Sequence, residues 1–287
     1  MKTIMVAMDF TERSDRTLRR AVLLARQFSA SLAFVHVVDQ EQSHRAIDNQ
    51  RAMAEQLLGE LAATLRQTDG LACGWQVPVA EPVAGIVGAS EELAPDLMVI
   101  GRHQRQLVKD AFVGTTAERT IRTVACPVLM ANSFPVGAYR RVLLTTDLSD
   151  CARNAVTRFT QLDCIQSALT TMLYVFDAPA IRLAMSHSIP ADDREYYIEE
   201  ERREAGRALA AFCVSTGLDN VEQVARFGET GAASEILAEA SRVDAGLIVV
   251  GTQGRSGLAK LFLGSVAEEV LRSADRDVLA IPPPGNL

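Results

Sequence analysis

The stretch Leu247-Ile248-Val249-Val250-Gly251-Thr252-Gln253-Gly254, closed ten residues later by Gly264-Ser265, runs from an apolar strand through a glycine loop into a helical pattern. This is the order in which a chain builds a phosphate cradle. Glycines let the backbone approach an anion, and the first helical turn offers free N–H groups and the positive end of the dipole. Ser265 can cap that helix or donate its hydroxyl, while Arg255 and Lys260 inside the loop add positive charge. Neither a Walker loop nor a G-x-G-x-x-G fingerprint is present. An altered copy lies earlier: Gly101 and Gly114-Thr115 are kept, but the inner glycine has become Gln104, flanked by His103 and Arg105.

The two loops belong to a duplication of the whole chain. Met5-Val6-Ala7-Met8-Asp9 recurs 138 residues later as Leu143-Leu144-Thr145-Thr146-Asp147, and Val35-His36-Val37-Val38-Asp39 recurs at the same offset as Leu173-Tyr174-Val175-Phe176-Asp177. Leu97–Gly101 and Leu247–Gly251 stand 150 apart, so the second copy is about 12 residues longer in between, with 178–195 the expected place. The repeat continues through Gly114-x-x-Ala117-Glu118 with Arg122 and Gly264-x-x-Ala267-Glu268 with Arg272. Self-similarity at one domain length predicts two domains, 1–137 and 138–287, joined by the turn-rich Asn132–Gly137. In each, strands alternate with helices (14–28, 43–67, 150–161, 191–216), which predicts a parallel α/β sheet covered on both faces, with ligands at the carboxyl ends of its strands.

Composition narrows the function. A chain of 287 residues with 48% hydrophobic content has enough apolar surface for two cores. Its net charge of −7 disfavours nucleic-acid binding, which needs a basic face. No apolar run nears the ~18 residues of a membrane helix, and Met1–Val6 enters a strand directly, so neither a membrane nor a signal peptide is expected. The five cysteines (Cys73, Cys126, Cys151, Cys164, Cys213) form no C-x-x-C pair, which reads as reduced thiols and a cytoplasmic location. No cluster has metal spacing. The run Asp192–Glu204 reads as a solvated helix face, His36 as a packed core histidine, and Trp75 as packing between strand and helix.

The spacing G-x2-G-x9-G-[ST], an Asp ending the first strand, and the final-strand entry Cys126-Pro127-Val128-Leu129 together resemble the ATP-binding universal stress proteins, twice over and across nearly the whole chain. The resemblance implies tandem Rossmann-like, adenine-nucleotide-binding domains, each a five-stranded parallel sheet flanked by helices. It implies that Asp147 contacts the ribose or adenine side, that Val175 offers backbone hydrogen bonds to adenine, and that Gly251, Gly254, Gly264, Ser265 and Val266 hold the phosphates, with Arg255 nearby. The matching first-copy set, Asp9, Val37, Gly101, Gly114 and Thr115, is expected to form a weaker site because of Gln104. The ligand implied is ATP, with or without Mg²⁺. The last strands, about 126–131 and 277–282, are expected as sheet edges that pair between domains into an intramolecular pseudo-dimer, with a further homodimer left open. No Ser-His-Asp order, nucleophile elbow, kinase set or H-E-x-x-H motif occurs. The sequence therefore reads as a nucleotide-binding regulatory or stress-response protein rather than an efficient enzyme. The alternatives are a slow ATPase or nucleotide-dependent enzyme, and an interaction scaffold without nucleotide.

Overall fold

The structure is a computed structural model that describes residues 1–101, 115–162, 168–178, 191–218, 220–254 and 263–283. The first half runs β1 (Thr3–Ala7), α1 (Glu12–Phe28), β2 (Ser31–Val35), β3 (Val38–Asp39), α2 (His44–Asp69), β4 (Cys73–Gln76), β5 (Val79–Ala80), α3 (Pro82–Leu93), β6 (Leu97–Gly101), α4 (Thr116–Thr123) and β7 (Val128–Ala131). The second runs β8 (Arg141–Thr146), α5 (Asp150–Gln161), β9 (Leu169–Phe176), α6 (Ala191–Ser215), β10 (Glu222–Phe227), α7 (Ala232–Arg242), β11 (Leu247–Gly251), α8 (Ser265–Ser273) and β12 (Asp277–Ile281). The longer connection of the second half falls between Phe176 and Ala191.

Ten strands form one sheet in the order β10-β9-β8-β11-β12-β7-β6-β1-β2-β4. Every pairing within a half is parallel. Each half is therefore a five-stranded parallel sheet, and its chain reverses direction across the sheet between β1 and β6, or between β8 and β11. Such switch points are where open α/β sheets leave a crevice at the strand ends. Strands buried on both faces need near-continuous apolar runs. Ile4, Met5 and Val6 are fully buried, and alternate residues feed opposite layers. Ile4 and Val6 pack with α1 and α2, whereas Met5 and Ala7 pack with α3 and α4. The second half repeats this with α5 and α6 on one face and α7 and α8 on the other.

Two departures from the sequence reading have clear causes. The expected strand 35–39 breaks after Val35, and a short ladder, Val38↔Val79 and Asp39↔Ala80, resumes in a separate two-stranded sheet. The neighbouring chain reaches Pro78 at this point, which accepts from Val38 N–H but has no N–H to return. The final strands are edges of each half but not of the molecule. β7 and β12 pair antiparallel through Val278↔Met130, Leu279↔Leu129 and Ala280↔Val128. The intramolecular pairing expected of them is present, and β4 and β10 are the edges that remain.

Around that seam the duplicated residues exchange contacts as in a two-fold interface. Arg122 donates to Glu268 at 3.1 Å, and its counterpart Arg272 lies 3.9 Å from Glu118, the counterpart of Glu268. A deeper lock is centred on Asp277, which has no exposed side-chain surface. Its Oδ1 accepts from Asn132 N, Ser133 N and Ser133 Oγ, each at 2.9 Å, and its Oδ2 from Tyr139 Oη at 2.6 Å. Arg20 meets the same carboxylate at 2.8 Å, an ionic contact without hydrogen-bond alignment, and lies over the Tyr139 ring. The 132–139 linker is thereby fixed to both halves.

Candidate functional site

Both halves build the same turn at the switch point. Asp9 follows β1 and Asp147 follows β8. Each is succeeded by a residue in the left-handed region, Phe10 at φ 56° and Leu148 at φ 64°. The reversal turns the carboxylate back onto the next helix start. Asp147 Oδ1 accepts from Ser149 N at 3.0 Å and Ser149 Oγ at 2.5 Å. Asp9 Oδ1 accepts from Thr11 N, Thr11 Oγ1 and Ser14 Oγ at 3.0, 2.7 and 2.6 Å. Burial pushes the Asp9 carboxyl up, but the bonds from Ser14 and Thr11 outweigh it and leave the pKa below its ordinary value. Sequence reasoning singled out the two aspartates but not Ser149, Thr11 and Ser14, which hold them. The signal available was the recurrence of a hydroxyl residue two positions after each Asp.

In the second half, Gly254 comes up against this carboxylate. A Cβ on residue 254 would lie 2.9 Å from Asp147 Oδ2, closer than carbon and oxygen tolerate, and Ser149 prevents the carboxylate from swinging away. A side chain at 254 would therefore have to displace the Asp147 carboxylate from the position in which Ser149 holds it. Gly251 and Gly264 are not crowded in this way, because a Cβ on either would meet its nearest neighbours at an ordinary 3.5 Å. Gly264 instead ties the loop ends together, its N–H donating to Thr252 O at 2.8 Å, so that N–H is already engaged. Val175 lies one residue beyond the last β8–β9 partners, Thr146↔Tyr174, at the carboxyl end of the sheet. Ser265 and Val266 are exposed in the first turn of α8. Arg255 and Lys260 lie outside the described residues.

The two helix starts differ. In the first half Thr115 caps α4 with a reciprocal box: Thr115 Oγ1 accepts from Glu118 N at 3.2 Å, and Glu118 Oε2 accepts from Thr115 N at 3.1 Å. That box uses the helix end for itself and places a carboxylate on it. In the second half α8 starts behind Gly264, which has no side chain to cap with. The counterpart Glu268 turns away to Arg122 and Arg272, at 3.1 and 2.6 Å. Among the described residues no side chain caps the first turn of α8.

The first-half crevice is narrow. Asp9, Val35, Val37, Ile86, Ile100 and Ala117 help to enclose about 230 Å³, below the roughly 300–1,000 Å³ typical of ligand clefts. His36 is half-buried and held to Met8 O at 2.9 Å, with its ring against Phe10. Val37 fills the space beside Gly85, where a Cβ would meet its Cγ1 at 2.6 Å. Gly101 ends β6 and Thr115 is the cap just described. Gly114, His103, Gln104 and Arg105 lie outside the described residues, as does Cys164. Trp75, on edge strand β4, packs against Gly59 of α2 with 42% of its surface exposed. The charged run of α6 carries surface pairs such as Arg202–Glu199 and Arg203–Glu200. Among the described residues no helix is long and apolar enough to cross a membrane.

Two parallel α/β sheets, each with a crevice at its switch point and joined edge to edge, define a tandem Rossmann-like protein. The sequence model of the Universal stress protein family matches residues 1–132 and again residues 138–282, and the chain belongs to that family. Over 300 residues it is 24% identical to Universal stress protein E of Salmonella typhi, covering 98% of this chain and 94% of that protein. Over 144 residues, half of this chain, it is 32% identical to Universal stress protein A homolog 1 of Coxiella burnetii, of which 96% is covered. A universal stress protein from Archaeoglobus fulgidus of known crystal structure superposes with a TM-score of 0.70 at 18% identity, covering 99% of this chain and 97% of that one. At that identity the likeness speaks for the fold alone.

Proposed function

We propose that the chain is a regulatory stress-response protein that binds one adenine nucleotide, ATP, in its second half. The observation that carries this reading is the contrast between the helix starts: α4 is closed by Thr115 and Glu118, whereas α8 offers uncapped N–H groups beside Gly264. The phosphates would lie against the first turn of α8, with the Ser265 hydroxyl as a further donor and Arg255 adding charge. Asp147 would meet the ribose or adenine side, and the backbone at Val175 the adenine edge. Bound ATP would bring its own negative charge, and any Mg²⁺ would enter with the phosphates. The protein would supply the dipole, the donors and a glycine at 254 that keeps Asp147 in place.

Calorimetric titration of the full chain tests this. One site per chain, lost in Gly254→Val and kept in Asp9→Ala, is the expected outcome. Phosphate release measured on the same samples separates a binder from a slow ATPase.

A further inference from the structure

The seam between the halves is two-fold in backbone but not in charge. Arg158 of α5 is the counterpart of Arg20 of α1, 138 residues on. Arg20 crosses to the start of the other half's last strand, whereas Arg158 bridges the turn before β7 and the end of its own half's β12. Arg20 thereby meets Asp277, at 2.8 Å. Arg158 shares its cavity with Pro127, the residue 150 positions before Asp277, and among the described residues it pairs with no carboxylate. Its Nη1 donates to Pro282 O at 2.7 Å and Pro283 O at 3.3 Å, and its Nη2 to Ala125 O at 2.9 Å. Its hydrogen-bond partners among the described residues are carbonyls, and the Cys126 thiol of the same cavity is the one titratable group that acts on it. The remaining guanidinium N–H groups face no described acceptor.

Arg158 also lines a cavity of about 560 Å³ between α3, the turn before β7, and α5. Val87, Val124, Pro127 and Leu162 give it apolar walls, and Ser90 and Gln161 add polar groups. Two acids are on its border. Asp96 is committed to the chain start, accepting from Lys2 N at 2.5 Å and Thr3 N at 2.9 Å. Glu91 is exposed at the mouth. Arg158 is the one cation of the described lining; of its two acids, Asp96 is offset by the N-terminus and Lys2, and Glu91 stands at the rim. That balance suits a single negative charge attached to an apolar body and disfavours a polyphosphate. Burial moves the Arg158 pKa down, and the neighbouring Cys126 thiol offsets this only in part.

We propose that this seam cavity is a binding site for an organic monocarboxylate, whose carboxylate takes at Arg158 the place that Asp277 takes at Arg20. The site is separate from the glycine loop and does not depend on the nucleotide reading. The test titrates the full chain with 4-phenylbutyrate and with the neutral 4-phenylbutanol, followed by ligand-observed NMR and calorimetry. Saturable binding of the acid is expected, about tenfold tighter than the alcohol, since the charge-assisted bond supplies the difference. Pro127→Asp installs the missing carboxylate, and Val87→Phe fills the cavity. Each is expected to weaken the acid about tenfold and to leave ATP titration unchanged. No saturable binding of the acid, equal affinity for acid and alcohol, or undiminished binding by folded Pro127→Asp or Val87→Phe would overturn the proposal.

Discussion

The carboxylate of Asp147 and the bare Cα of Gly254 are complementary: a Cβ at 254 would come within 2.9 Å of Asp147 Oδ2. A residue just after β8 thus favours a glycine just after β11, more than a hundred residues on. Any side chain at 254 must displace a carboxylate that Ser149 N and Oγ both hold. Gly254→Val is expected to remove ATP binding, whereas Gly251→Ala, with neighbours at 3.5 Å, is expected to keep it. Parallel ATP titrations of the two variants check this, and equal losses would show that the loop glycines act alike.

The two helix starts should respond in opposite ways to loss of their hydroxyls. Thr115→Ala breaks a closed capping box and is expected to cost about 1 kcal/mol of stability without changing ATP binding. Ser265→Ala touches no described cap and is expected to weaken ATP while leaving the urea midpoint in place. Denaturation and titration on both variants read the two effects separately.

Asp277 is expected to be the costliest single polar residue at the seam. It is fully buried and holds Arg20, Tyr139 and the linker backbone at Asn132 and Ser133. Asp277→Ala leaves a buried guanidinium and several donors unpaired, at a cost of about 3–5 kcal/mol in urea denaturation. The Arg122–Glu268 pair, about 30% exposed on both sides, should contribute only about 0.5 kcal/mol in a double-mutant cycle.

Acid should weaken the fold in part through Asp9 and Glu239. Burial raises both carboxyls, but Ser14 and Thr11 at Asp9, and Arg242 and Arg226 at Glu239, outweigh it and hold each pKa below its ordinary value, 3.8 for Asp9 and 4.5 for Glu239. A depressed carboxylate contributes stability that is full above the ordinary value and is lost as pH falls through the folded one. Asp9→Asn should therefore be less stable than the parent above the ordinary Asp value of 3.8 and converge with it as pH falls through the lower folded value. Urea midpoints across that range check this, and parallel curves would contradict it.

The fold was legible in the sequence because the duplication supplies its own internal comparison. Two apolar strands ending in Asp, two ending in Gly, and fixed offsets locate the switch points. The strand break at His36-Val37 was not legible, because its cause, Pro78, belongs to a neighbouring segment. At the site, Gly254 and Asp147 could each be singled out, but not their close approach. The helix caps were the least legible. Thr115-x-x-Glu118 and Ser265-x-x-Glu268 are the same pattern, and only the structure shows that Glu118 returns to its helix while Glu268 crosses the seam to Arg122. The repeated Glu and Arg were visible as a repeat, but reciprocity is a spatial property.

We propose that the halves form an unequal pair, in which the second takes the nucleotide and the first binds it weakly or not at all. Calorimetric stoichiometry of ATP on the full chain tests it most directly. The account predicts a single site per chain that disappears in Gly254→Val and survives Asp9→Ala. Two equivalent sites, or one that ignores Gly254→Val and vanishes with Asp9→Ala, would contradict it.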